Sequence, residues 1–114
     1  MDRESILIDV LKDRSADISE RDDAAMDLGV IGTEHAFYDL VDVASDSNES
    51  EVILQSCGES IAEIYCRIAN KLKTKADQKL PISSIAYDEA VGFLSAERPD
   101  YLQSFTELFL KKGP

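Results

Sequence analysis

Between residues 51 and 72 the apolar side chains Ile53, Leu54, Cys57, Ile61, Ile64, Tyr65, Ile68 and Leu72 recur at steps of three and four. That is the period of an α-helix with one face turned to a core. A strand would need alternation at every second residue, which the segment lacks. Gly58 interrupts the run at a cost of about 1 kcal/mol relative to alanine, and a glycine inside a helix marks close helix packing.

The same period organises the rest of the chain. Ile6, Leu7, Val10 and Leu11 predict a first helix over 3–13. Ser19 is the expected N-cap of a second helix with Ala24, Ala25, Leu28 and Ile31 as its buried stripe and Gly32 as its terminator. Thr33 is the expected N-cap of a third, with Phe37, Leu40, Val41 and Ala44 facing inward. The tight Gly32-Thr33 join predicts that the second and third helices pack together as a hairpin. Lys71 to Lys79 reads as a loop or a frayed helix end. Ile82, Ile85, Ala86, Val91, Phe93 and Leu94 predict a fifth helix. A sixth starts at Pro99 and buries Leu102, Phe105, Leu108 and Phe109, and Lys111 and Lys112 complement its C-terminal dipole. No strand pattern of useful length is present. The expectation is one all-α domain over 1–114, with about six helices.

Charge narrows the function. There are 23 Asp and Glu against 12 Lys and Arg, a formal net charge of −11. Residues 1–70 hold 17 acids and 5 bases, while residues 71–114 hold 6 acids and 7 bases. An anionic body repels nucleic acid and anionic membrane and attracts basic partners. The lysines at 71, 73, 75 and 79 form a short basic patch, read as a solvated helix end. No run approaches the roughly 20 apolar residues that span a bilayer, and the acidic N-terminus lacks the form of a leader. A cytoplasmic, monomeric protein is expected. Cys57 and Cys66 lie nine residues apart on one predicted helix. The rise between them, roughly 13 Å, rules out a disulfide.

Few residues carry chemistry. His35 is the only histidine, and a catalytic metal site usually takes three protein ligands; an exposed place in the first turn of a helix is expected for it. Asp46, Asn48 and Ser50 alternate like the start of a calcium loop, but the turn glycine would fall at Glu51 and the bidentate acid at Cys57. No glycine-rich phosphate loop, nucleophile elbow or Cys-x-x-Cys is present. The expectation is a binding protein, not an enzyme, with no catalytic residue, metal or cofactor.

An offset of 33 aligns Ala24 and Ala25 with Cys57 and Gly58, Leu28 with Ile61, Gly29 with Ala62 and Ile31 with Ile64. Small residues fall on small and branched on branched, as in stacked helices whose backbones approach closely. The stretch Arg21-Asp-Asp-Ala-Ala-Met-Asp-Leu-Gly-Val-Ile-Gly32, followed by an apolar helix and an acidic loop, resembles a HEAT repeat of the short, lyase-type bacterial kind over residues 18–64. The resemblance implies a HEAT-like α–α superhelix. The departures are Leu54 where a second Arg would stand, and Asn70 and Lys73 where partners of Phe37 and Leu40 would stand. They point to an irregular superhelix of about three pairs.

The third helix carries a second face opposite its buried stripe. Glu34, Tyr38 and Asp42 are four apart on it, Asp39 lies beside them, and Asp46 and Glu49 follow in the next loop. Clustered like charges mildly destabilise a helix. In HEAT-like stacks the second helix of each pair lines the concave surface, so the resemblance implies that these six residues bind the partner. The bland alternative is a solvated face. By size, charge and helical type the chain also resembles bacterial immunity proteins and antitoxins of the contact-dependent growth-inhibition kind. That likeness implies a stoichiometric inhibitor of a basic toxin, a ribonuclease being one such toxin. The alternatives are a HEAT-repeat scaffold or adaptor, and a HEAT-like lyase or hydroxylase-type enzyme.

Overall fold

The computed structural model describes residues 2–72 and 78–113. Lys73 and Lys75 of the basic stretch therefore lie outside the described residues. The fold is all-α, with six helices and one small strand pair among the described residues. In chain order these are α1 (Arg3–Lys12), α2 (Ile18–Ile31), α3 (Glu34–Ala44), α4 (Glu51–Ile68), β1 (Leu80–Ser83), α5 (Ser84–Glu97), α6 (Leu102–Leu108) and β2 (Phe109–Lys112). Single 3-10 turns follow α4 and precede α6.

Helix starts follow local hydrogen-bonding needs. The first turn of a helix has N–H groups without partners inside it, and short polar side chains supply them. Asp2 accepts from the Ser5 N–H at 2.8 Å at the start of α1, and Ser83 accepts from the Ala86 N–H at 3.2 Å at the start of α5. Thr33 is the N-cap of α3, but its N–H and hydroxyl donate to the Glu4 carboxylate of α1, at 2.7 and 2.8 Å. The N-cap of α2 is Asp17, two residues before the expected Ser19, which lies inside the helix.

The arrangement is set by α4, which runs through the centre with α2, α3 and α5 packed around it. Ser56 of α4 donates to Asp22 of α2, Ser60 to the Ala25 carbonyl at 2.6 Å, and Arg67 to the Gly32 carbonyl at 2.8 Å. These partners are 34 or 35 residues apart. The helices α2 and α4 therefore lie side by side and parallel. Small residues make the approach possible: a β-carbon on Gly29 would come within 2.6 Å of the Ser60 hydroxyl. Gly58 serves the other side of α4, where a β-carbon would collide with the Ala86 carbonyl of α5. Most of the expected stripes are buried, Ala24, Ala25, Leu28, Cys57, Ile61 and Ile64 among them, but Ile6 and Ile31 are exposed and Leu7, Val10, Leu72 and Leu102 are half-buried.

Three expectations are corrected. The join at Gly32-Thr33 does not close a hairpin, because α2 packs on α1 and α4 while α3 packs on α4. A short turn brings helix ends together but leaves the axes free to diverge toward larger apolar faces. Ile82 belongs to β1 and not to α5. The sixth helix stops at Leu108, and β2 pairs parallel with β1, from Leu80↔Phe109 to Ser83↔Lys112. Lys111 and Lys112 therefore serve no helix dipole: Lys111 pairs with Asp88 at 2.8 Å and Lys112 donates to the Ser45 carbonyl at 2.6 Å. The strands form because Ile82 and Phe109 are drawn into the core. Phe109 stacks on Phe105 at 4.3 Å between centroids and meets Phe37 edge-on at 5.9 Å.

Candidate functional site

The chain turns between α1 and α2 and again between α3 and α4, and the charged residues of both turns meet. Their centre is Arg21, a fully buried guanidinium. Its Nε donates to the Leu11 carbonyl at 2.9 Å, and its two terminal nitrogens donate to Glu49 at 3.1 and 2.7 Å. This fork-to-fork geometry matches the plane of a guanidinium to that of a carboxylate. Arg14 adds a second cation 3.3 Å from Glu49, and the Ser50 N–H donates to the same carboxylate at 2.9 Å. Burial alone would raise the Glu49 carboxyl, but Arg21 and the Ser50 amide hold it below the usual range. Arg21 is raised in turn by Glu49.

Around this pair Asp39, Asp42 and Asp46 each meet a cation. Lys12 contacts Asp39 and lies 3.6 Å from Asp42, and its hydrogen bond to Asp39 raises its ammonium. Arg14 bonds Asp46 at 2.5 Å. The Asn48 N–H and then Arg14 lower the Asp46 carboxyl. Lys12, Arg14, Arg21, Asp42, Val43, Ser45, Asp46 and Glu49 line a pocket of ≈360 Å³. Its three cations face three carboxylates, so it offers no net field to an ion.

Of the six residues expected to bind a partner, the structure keeps three on one exposed face: Glu34, Tyr38 and Asp42. Asp39 is half-buried beside Lys12 and His35, and Asp46 is half-buried beside Arg14. Glu49 is withdrawn from solvent, and this corrects its place on an open acidic face: its charge is consumed by Arg21. His35 is exposed in the first turn of α3, with Nε2 3.5 Å from Asp39. Among the described residues no group of three or more His, Cys, Asp or Glu is placed to hold a metal ion, and no helix is long and apolar enough to cross a membrane. Burial raises the Cys57 thiol steeply and the Cys66 thiol less.

The outward face of α2 and α4 is not among the sites expected from the sequence. These two helices carry seven carboxylates: Glu20, Asp22, Asp23, Asp27, Glu51, Glu59 and Glu63. Among the described residues only Asp27 has an ion-pair partner, Arg3 at 3.6 Å. Burial, and then Glu59 four residues before it, raise the Glu63 carboxyl. The same two helices also expose apolar side chains: Ile18, Met26 and Val30 on α2 and Val52 on α4. The signal was present in the sequence as Met26 and Val30 outside the Ala24-Ala25-Leu28 stripe. Equally, Arg21 falls three and four residues before Ala24 and Ala25, on the buried stripe, where a cation requires a buried carboxylate. Comparison with protein-family models, with curated proteins and with solved structures finds no match.

Proposed function

We propose that this chain is a cytoplasmic, stoichiometric protein-binding module, not a catalyst, and that it takes a cationic protein through an acidic face. The nearest functional type is an immunity protein or antitoxin that blocks a basic toxin, for example a ribonuclease. The carrying observation is the distribution of the acids. Asp39, Asp42, Asp46 and Glu49 of α3 and its loop are matched by Lys12, Arg14 and Arg21, whereas on α2 and α4 every carboxylate but Asp27 is without an ion-pair partner among the described residues, on helices that also expose Met26, Val30 and Val52. Charge kept only for solubility needs no apolar neighbours, while a protein interface combines apolar anchors with a charged rim. The unmatched field also disfavours nucleic acid and anionic membrane as partners. A scaffold or adaptor of stacked repeats is a second reading, favoured by the 34- to 35-residue offset between α2 and α4.

The test is capture of partners from source-cell lysate on the immobilised chain at low and at high salt. The captured proteins are then purified and titrated. The reading requires a cationic protein that binds one-to-one, associates more slowly as salt rises, and loses its toxic activity in the complex. A bound protein whose activity persists favours the scaffold. Only neutral or acidic partners, bound without salt dependence, would overturn the acidic-face reading.

A further inference from the structure

The offset between α2 and α4 fixes which surface residues are neighbours. Partners 34 or 35 apart touch along both helices. Ile18 therefore lies level with Val52, Met26 with Ser60 and Val30 with Ile64, so that Glu59 and Glu63 each fall one residue from the level of Met26 and Val30. Met26 and Val30 form one row and Glu59 and Glu63 the other, each with a step of four residues, about 6 Å along a helix axis. The α2 row is apolar and open, with Met26 49% and Val30 70% exposed. The α4 row is anionic, and neither Glu59 nor Glu63 has an ion-pair partner among the described residues.

We propose that this double row is the docking surface and that its occupant is a basic amphipathic α-helix of the partner protein. The proposal rests on the reading of the chain as a binder of cationic proteins. A step of four in both rows matches the period of a helix and not the two-residue period of a strand. Lysine or arginine at i and i+4 of the partner meets Glu59 and Glu63, and the apolar residues flanking that stripe cover Met26 and Val30. Two like charges four apart repel in the free protein. A cation between them removes that repulsion, and the half-buried position of both carboxylates strengthens the contact relative to one in bulk water. Burial, and then the same repulsion, hold the Glu63 carboxyl high against the attraction of Arg67 and disfavour its charged form in the absence of a partner.

The probe is a synthetic helix of about 18 residues, long enough to hold helical structure, with lysines at i and i+4 beside a leucine stripe. It is titrated into the ¹⁵N-labelled full chain and followed by amide shifts. Shifts should gather on Asp23–Val30 and Glu59–Glu63. Glu59→Gln with Glu63→Gln should weaken binding about tenfold or more, as loss of charged hydrogen bonds does, and Asp39→Asn with Asp42→Asn should leave it within about twofold, as for screened exposed pairs. Shifts gathered on Tyr38, Asp39 and Asp42 would overturn the surface and leave the cationic-partner reading intact. So would an affinity unchanged by the Glu59 and Glu63 variants. Concentration-dependent self-association in sedimentation, abolished by the same variants, would assign the face to a second copy and sink the proposal. If the probe does not bind at all, the helix proposal fails, and the lysate titration decides the wider reading separately.

Discussion

At the junction of α1 and α3, Lys12 and Arg14 meet Asp39 and Asp46 across 27 and 32 residues of sequence. On the α2–α4 face, Glu59 and Glu63 sit four residues apart and have no ion-pair partner among the described residues, Arg67 acting on the Glu63 carboxyl only from beyond contact. Both regions are rich in acid, and both lie on helices that bury an apolar stripe. They differ in what the fold carries alongside. The end of α1 brings two bases to α3, while the neighbours of α4 bring Asp22 and exposed apolar side chains. A net charge of −11 therefore does not tell where the field of the protein emerges. It emerges where packing leaves acids unmatched.

The comparison breaks most visibly at its most buried member. Arg21→Ala leaves Glu49 charged and without its main partner in a buried site, and should cost about 3–5 kcal/mol in urea unfolding. Arg21→Met together with Glu49→Leu should recover most of that loss, because burying two charges is itself costly. A loss under about 1 kcal/mol for the single variant would show that water reaches the pair. The pH dependence has a fixed sign. The Glu49 carboxyl is held below its ordinary value of 4.5. Its contribution is thus complete above pH 4.5 and disappears as pH falls through the lower folded value. The double variant should lose that acid dependence.

A smaller effect is expected at the exposed part of the same junction. Lys12→Ala removes the cation from Asp39 and Asp42. It should cost about 0–1 kcal/mol, less at high salt, as surface pairs do. Its value lies in sharpening the contrast, because the α3 face then becomes anionic as well. If cationic partners begin to bind at Tyr38 in this variant, unmatched charge is what selects the face.

The smallest effect should be a gain. Glu63→Gln relieves the repulsion from Glu59 and should stabilise the free chain by about 0.2–0.5 kcal/mol at neutral pH. Because the folded carboxyl is raised, its penalty is absent below the ordinary value of 4.5 and full above the raised one. The variant and the native chain should converge in stability as pH falls. A destabilised Glu63→Gln would mean that Glu63 holds a favourable contact in the native fold.

The sequence alone determined the helices and most of their inward faces. Spacings of three and four identified α1 to α4 and the start of the core, because the 3.6-residue period is a local property that any window of the chain carries. Aligned at 33, the small residues of α2 and α4 also predicted a close approach of the two helices, and Gly29 against Ser60 provides it. Tertiary structure decided the remainder. Phe109 ends a helix and starts a strand because Phe37 and Phe105 are there to receive it. Ile82 joins β1 because that strand has β2 to pair with. The candidate site divides in the same way. Glu34, Tyr38 and Asp42 share a face by helical spacing alone, and that much was legible. Asp39, Asp46 and Glu49 are claimed by bases 27, 32 and 28 residues away. Charge pairing acts through space, and the sequence does not contain those distances until the helices are packed.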